Sequence, residues 1–517
     1  MTPQDMMQKP FGTLPDLVAA SAKTTPDAIA LIDGDVEISY AQLNANADQL
    51  GSALQKAGVG HKDVVAVCAP TSAAYITLFV ATLRIGAAIA PLTASAHPET
   101  LTKMLVDCGA KVYFCEDNVW QAMAAYRDAF EGQRISLSNG NEPEYLTFLA
   151  SGDAHPTPVD ISPDDYFNII YSSGTTGMPK GIIQTHKMRW AHINRSSLLG
   201  YAPDAVTIVS TPLYSNTTLV SAIPALSQGG KLVLMAKFNA DRFLELCDKH
   251  RVTHAMLVPV QYQRISDVQN FSKYDLSSFR MKTCTSAPFS AELKRWIVDN
   301  WPGSLVEIYG MTEGGGTCLL NATEFPDKLH TVGRPAEGHD IRVIDDDGNT
   351  LPAGEKGEVV GRSGAMMVGY HNQPKKTSDA EWFDEHGNRF IRTGDVGVFD
   401  EDGFLTLMDR KKDMIISGGF NIYPSDLEAV LRSNDAVYEA AVVGAPSRAW
   451  GETPVGFVVL KEGADITSDD LKAWMDERVG KTQRLAVLQL VDTMPRNAIG
   501  KVLKTDLRQI AAELVSD

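Results

Sequence analysis

The chain has 517 residues, 44% hydrophobic and 21% charged, which excludes an intrinsically disordered chain, a collagen and a disulfide-stapled miniprotein. A net charge of −17 and a pI near 5.1 argue against general binding to nucleic acid or anionic membranes. At roughly 150 residues per domain, about three to four folding units are expected.

The first ten residues, MTPQDMMQKP, contain no apolar segment of the secretory-signal kind. Residues 43–57 have the spacing of an amphipathic helix ending at Gly58, and 64–68 form a short apolar run expected as a strand. The most apolar stretch, 73–92, carries Arg84, Gly86 and Pro91 and is broken by Thr77 and Thr82, so it predicts a buried helix followed by a strand, not a membrane span. Residues 111–115, 166–171, 206–210 and 231–235 repeat the strand pattern between helical stretches. This alternation predicts α/β layers with mostly parallel sheets.

From about residue 341 the texture changes. Turn sequences at 345–348 and 400–403, with an apolar run at 404–407, predict a smaller β-rich subdomain. The charged cluster Asp409-Arg410-Lys411-Lys412-Asp413 cannot be core, and a solvated turn and a domain hinge both fit it. Beyond it the pattern is α+β, with nearly balanced charge, so most of the negative charge lies before residue 410. The cysteines at 68, 108, 115, 247, 284 and 318 have neither CxxC nor metal-ligand spacing, and reduced cysteines in a cytoplasmic protein are expected. His155, His192, His250 and His254 show no metal-binding spacing, and His186 is expected to be structural.

The segment YSSGTTGMPKG, from Tyr171 to Gly181, interleaves hydroxyl pairs with glycines after an apolar strand. Its N–H and O–H donors, with Lys180, suit a polyphosphate. It is not a Walker A loop, because Pro179 stands where the second glycine belongs. The segment resembles the signature loop of the adenylate-forming superfamily of acyl- and aryl-CoA ligases, luciferases and peptide-synthetase adenylation domains. Further segments resemble that family's motifs in the same order: ISYAQL from Ile38, YGMTE from Tyr309, TGD from Thr393, DRKKD from Asp409, SGGFNIYP from Ser417 and PRNAIGK from Pro495. The resemblance covers essentially the whole chain. It is most like that of a freestanding acyl-CoA or coumarate/benzoate-type CoA ligase.

The resemblance implies a multi-layer αβαβα N-terminal domain with a small β-barrel-like subdomain over 1–409. It also implies a smaller mobile α+β C-terminal domain over 410–517, hinged at 410–412. It implies ATP, Mg²⁺ and coenzyme A: a carboxylic acid attacks the α-phosphate of ATP, releasing pyrophosphate, and CoA then displaces AMP. Ser172, Ser173, Gly174, Thr175, Thr176, Gly177 and Lys180 would hold the β- and γ-phosphates. Thr312 would contact the α-phosphate, while Glu313, with Thr176, would place Mg²⁺. Ser286, Ala287, Pro288, Glu307, Ile308, Tyr309, Gly310 and Met311 would flank adenine, and Asp395 and Arg410 would hold the ribose. Lys501 would be the catalytic lysine of the first half-reaction and Lys412 the pivot, with Gly418, Gly419 and Trp450 towards CoA.

The acyl pocket departs from the family's common pattern. Tyr214-Ser215 stands where Phe-His is frequent, Thr285 takes a usual glycine place, and Gly314-Gly315-Gly316 is expected to open space beside Gly310. A pocket for an aromatic or short- to medium-chain acid is the expectation. An enzyme loading a carrier protein in trans, and a non-catalytic nucleotide or acyl sensor on the same fold, remain open alternatives. The chain ends shortly after Lys501, so no fused carrier is expected. The oligomeric state, a homodimer included, is not readable from the sequence.

Overall fold

A computed structural model describes residues 1–172, 179–410, 413–417, 420–447, 450–480, 483–497 and 500–515, with the backbone only at 409, 410, 420 and 421. The chain divides into two compact units. One comprises Met1–Asp340 with Gly361–Ile391, the other Ile341–Val360 with Arg392–Asp517.

The first unit is built on two sheets. In the larger, nine strands lie in the order Arg334–Pro335, Gly314–Asn321, Ser304–Met311, Met281–Cys284, His254–Leu257, Val206–Val209, Lys231–Leu234, Ile29–Asp33, Val36–Ser39. Its central strands, from Ser304–Met311 to Ile29–Asp33, are parallel. The second sheet has seven strands: Gly369–Tyr370, Lys180–Thr185, Tyr166–Ser172, Ala88–Pro91, Val64–Cys68, Ala110–Cys115, Gln133–Ser136. Strands Val64–Cys68 and Ala88–Pro91 are buried at every residue, which explains their uninterrupted apolar sequence.

Helices Leu14–Thr24, Tyr40–Lys56, Ala73–Arg84 and Asn216–Ser227 pack with residues of both sheets in one core cluster. Ala73–Arg84 has buried residues all round, up to Leu83. A helix between two sheets has no solvent face, so its sequence loses the amphipathic period. Further helices cover each outer face: Ala240–Lys249, Pro259–Ser266 and Ala291–Asn300 on the larger sheet, Pro98–Asp107 and Asp117–Ala122 on the smaller. The result is the expected αβαβα layering. The expected helix at 43–57 begins three residues earlier, at Tyr40, because Ser39 caps it reciprocally with Gln42.

Strands Asp340–Ile344, Gly357–Arg362 and Arg389–Phe399, of which residues 341–344, 357–360 and 392–399 belong to the second unit, follow one another in a sheet, and Leu405–Arg410 pairs antiparallel with the last. The C-terminal sheet orders Phe420–Ile422, Ile415–Ser417, Gly451–Leu460 and Val437–Ser447, with Val487–Leu490 parallel to Gly451–Leu460. Pro424–Arg432 and Ser468–Asp476 pack into one core cluster of this sheet and Lys504–Val515 into another, an α+β arrangement. The charged run at 409–413 is partly strand: Leu405–Arg410 extends into it, and Asp413 pairs with Arg508.

Burial holds several imidazoles neutral. It lowers His186 to about 4 and His254 to about 4. His186 stands edge-on to Phe167 at 5.1 Å, and His254 stacks on Tyr201 at 4.5 Å, so both are structural. An unfolded histidine titrates near 6.5, so between pH 6.5 and 4 the unfolded chain binds more protons. Stability therefore falls as pH drops through that window. His186→Asn is expected to remove roughly 2–3 kcal/mol of that pH dependence, seen in urea midpoints at pH 7 and pH 4.5. Parallel pH curves for the variant and the parent would reject the assignment.

Candidate active site

Residues at the carboxyl ends of parallel strands face the crevice where α/β proteins bind ligands. Tyr214 and Ser215 follow Val206–Val209, Thr285 and Ser286 follow Met281–Cys284, and Tyr309 to Met311 end Ser304–Met311. That last strand is buried through Glu307 and then emerges, leaving Ile308 and Tyr309 half-buried and Gly310 exposed.

The antiparallel partner of Ser304–Met311 is Gly314–Asn321, with Met311 opposite Gly314. Thr312 and Glu313 therefore form a two-residue hairpin turn. Gly314 has φ +82, and a Cβ there would lie 2.0 Å from the Ala365 carbonyl oxygen, so only glycine fits. This corrects the expectation that Gly314-Gly315-Gly316 opens space. The room is filled by the backbone of residues 361–365, and a Cβ on Gly315 would meet the Gly361 carbonyl oxygen at 2.9 Å.

The segment expected to hold phosphate joins Tyr166–Ser172 to Lys180–Thr185, and Ser172 pairs with Lys180 in the antiparallel register. Ser173, Gly174, Thr175, Thr176 and Gly177 lie outside the described residues. Lys180 Nζ sits 4.5 Å from the Tyr370 ring centroid, a cation–π distance. The Tyr370 hydroxyl donates to Glu313 Oε1 at 2.8 Å. Burial, then the Glu313 charge, pushes the Tyr370 phenol well up, so it remains a donor. One buried aromatic thus holds a cation on its face and a carboxylate at its tip.

Behind the hairpin lies a buried polar network. Gln184 Nε2 donates to the Thr312 carbonyl at 2.6 Å. Arg189 Nη2 donates to Asn168 Oδ1 at 3.0 Å, to Asn216 Oδ1 at 2.9 Å and to Gln184 Oε1. Burial lowers Arg189 to about 9, which leaves it charged at neutral pH, served by amide oxygens. Thr312 is in this way tied to Asn216, the first residue of the helix capped by Ser215.

Ser286 has φ 82, a strained value for a residue with a side chain, and its Oγ lies 2.6 Å from Thr217 Oγ1. Thr285 and Ala287 are half-buried beside it, and Pro288 is exposed. Tyr214 is raised by burial. The Glu307 carboxylate pairs with buried Lys294, so its side chain faces the core.

The second unit holds the remaining candidates. Asp395 lies opposite Arg410 in the antiparallel register, and its N–H donates to Thr393 Oγ1 at 3.0 Å. Lys501 lies in a tight loop: its N–H donates to Asn497 Oδ1 at 2.9 Å, and Asn497 N–H donates back to the Lys501 carbonyl at 2.9 Å. Trp450 is 57% exposed. Lys412, Gly418 and Gly419 lie outside the described residues.

Tyr370, Gln184, Arg189 and Lys294 escaped the sequence reading. Gln184 had a signal, since it is an amide directly following two isoleucines, and the strand is buried from Gly181 to Thr185. Tyr370 had none, because nothing local ties it to Glu313, 57 residues away.

The model of the AMP-binding enzyme family matches residues 18–371, and that of the AMP-binding enzyme C-terminal domain matches 426–501. Feruloyl-CoA synthase of an Amycolatopsis species is 32% identical over 494 residues, covering 94% of this chain and 97% of that protein. Indoleacetate–CoA ligase of Aromatoleum aromaticum is 32% identical over 512 residues, 96% and 98% of the two chains. ATP-bound MatB from Rhodopseudomonas palustris superposes with a TM-score of 0.88 at 28% identity, covering 97% of this chain and 100% of that one. Among the described residues no helix is long and apolar enough to cross a membrane.

Proposed function

The chain belongs to the AMP-binding enzyme family, and on that premise we propose that it is an ATP-dependent acid–CoA ligase acting on an aromatic or otherwise compact carboxylic acid. The observation that carries this reading is Lys180 and Glu313 held on one buried tyrosine, Tyr370, at the base of the phosphate-loop hairpin. The feruloyl- and indoleacetate-directed relatives support an aromatic acid.

A carboxylate is a poor acylating agent because its leaving group would be oxide; converting it to a mixed anhydride with AMP supplies a good one. The chain's task is then positioning and charge stabilisation. Ser172 and Lys180, with the loop they close, hold the β- and γ-phosphates. The Thr312 hydroxyl meets the α-phosphate, its backbone fixed by Gln184. Ser286, Ala287 and Tyr309 flank the adenine, Asp395 and Arg410 hold the ribose, and Lys501 bridges the substrate carboxylate and the α-phosphate. A hinge at 410–412 moves the C-terminal domain between half-reactions, and Trp450 meets CoA. The six cysteines are free and buried, which supports a reducing, cytoplasmic setting.

The residues present suit Mg²⁺. Among the described residues no cluster of three His, Cys, Asp or Glu could cage a metal, whereas Mg²⁺ binds through one or two carboxylates plus substrate phosphates. Glu313 is such a carboxylate, oriented by Tyr370. Bound there, Mg²⁺ would neutralise charge on the phosphates as pyrophosphate leaves.

The test is acid-dependent pyrophosphate release, followed by thioester formation on adding CoA. Best turnover on acids longer than about C12 would reject the compact pocket. A separate expectation concerns Tyr370→Phe, which keeps the ring under Lys180 and loses the hydrogen bond to Glu313. A bond to a charged group is worth ~1.5 kcal/mol or more, so the Mg²⁺ concentration for half-maximal adenylation should rise about tenfold. An unchanged Mg²⁺ dependence would separate Tyr370 from the metal.

A further inference from the structure

The helix His186–Asn194 and its C-cap Arg195 place Arg189, His192 and Arg195 three residues apart, along one face. Arg189 ends at Asn216, beside Ser215. At the other end, Arg195 Nη1 meets His339 Nε2. His339 Nδ1 accepts the Thr317 N–H at 2.9 Å, so a neutral His339 carries its proton on Nε2, facing the guanidinium. The alternative tautomer would orphan the Thr317 N–H. Either way, one donor is left facing another donor.

Among the described residues no carboxylate pairs with Arg195, and His192 Nδ1 is buried without a hydrogen-bond partner. Burial, then Arg189, Arg195 and His339, lowers His192 to about 3, while burial and then Arg195 lower His339 to about 4. In a chain of net charge −17, this is a concentrated, unneutralised set of donors.

Its place is beside Gly310, a residue expected from the sequence to line the acyl pocket. A Cβ on Gly310 would lie 3.3 Å from Thr317 Oγ1, so Gly310, Thr317 and His339 are contiguous. Thr317 stands four residues along its strand from Glu313, roughly 13 Å from the hairpin turn at strand rise. The acid's reacting carboxylate belongs at that turn, so the donors lie at its opposite end.

We propose that Arg195, with His339 and His192, forms a subsite that receives an oxygen acceptor at the distal end of the acid substrate. This deepens and rests on the ligase reading. An oxygen there accepts from both the guanidinium and the His339 N–H, resolving the donor–donor contact. Substrates with a distal carboxylate, ether or phenol oxygen are selected over apolar isosteres, because a polar site that loses its partner leaves buried donors unpaired.

The experiment compares kcat/KM for pyrophosphate release with 4-carboxy-, 4-methoxy- and 4-methylcinnamate. The wild-type chain is expected to prefer at least one oxygen-bearing acid over the methyl compound by tenfold or more. In Arg195→Met that ratio falls below threefold, and Arg195→Lys restores the preference for the charged acid. A wild-type ratio near one, or a ratio that survives Arg195→Met, overturns the subsite. Equal loss on all three acids in both Arg195→Met and His339→Leu marks a structural role and overturns it too. If the wild-type chain turns over no acid of any class, the ligase reading itself falls.

Discussion

Lys501→Ala is expected to slow acyl-adenylate formation by about 10²–10³-fold, the usual loss when one preorganised charge-stabilising donor is removed. Thioester formation from preformed adenylate should stay within about threefold of the parent, because CoA attack on the mixed anhydride does not need the bridge between carboxylate and α-phosphate. The loop geometry makes the variant clean. Asn497 holds the Lys501 backbone from both sides, and Arg496 Nη1 donates to the Gly500 carbonyl at 2.6 Å while its Nη2 pairs with Glu439. None of these bonds uses the lysine side chain, so each of them remains in the variant. Pyrophosphate release with acid and ATP reports the first half-reaction, and CoA added to supplied acyl-AMP reports the second. Equal loss in both would show that Lys501 serves the fold or the shared binding of AMP.

Local signals carried most of the architecture. The runs at 64–68 and 231–235 fall on strands Val64–Cys68 and Lys231–Leu234, since strand positions buried on both faces, all of the first and Leu232–Leu234 of the second, are apolar. Long-range polar pairings were not legible. Gln184 reaches Thr312 across 128 residues, and Glu307 meets Lys294 from a neighbouring helix; nothing in either sequence neighbourhood encodes the partner. The glycines at 314–316 were legible as glycines but not in their purpose. An empty pocket and a tightly packed backbone both ask for a missing Cβ, and only the position of the Ala365 carbonyl distinguishes them. The motifs located the hairpin turn of Thr312 and Glu313, while the residues that hold it come from other strands and helices.

The buried Lys294–Glu307 pair gives the largest expected effect on stability. Both side chains are almost fully buried, at 2% and 7% exposure. Lys294 Nζ also donates to the Leu329 carbonyl at 2.7 Å and the Thr331 carbonyl at 3.1 Å. Burial, outweighing the nearby ammonium, pushes the Glu307 carboxyl up to about 7. Removing one member of such a pair strands the other's charge, at a cost of about 3–5 kcal/mol. Lys294→Met should reach that range, because two buried carbonyls lose their donor and the Glu307 carboxyl, pushed up further without the ammonium, is left buried as an unpaired acid. Glu307→Gln should cost less, since its amide oxygen still accepts from Lys294 and the ammonium keeps both carbonyls. Urea denaturation of the full chain, following the transition of the first unit, ranks the two; the opposite order would mean that the carboxylate, not the ammonium, organises the site. The pair also bears on the nucleotide. With its carboxylate turned into the core, Glu307 can approach adenine only through its backbone, so Glu307→Gln should leave the KM for ATP within about twofold while lowering stability. A large rise in that KM at unchanged stability would return the carboxylate to the adenine site.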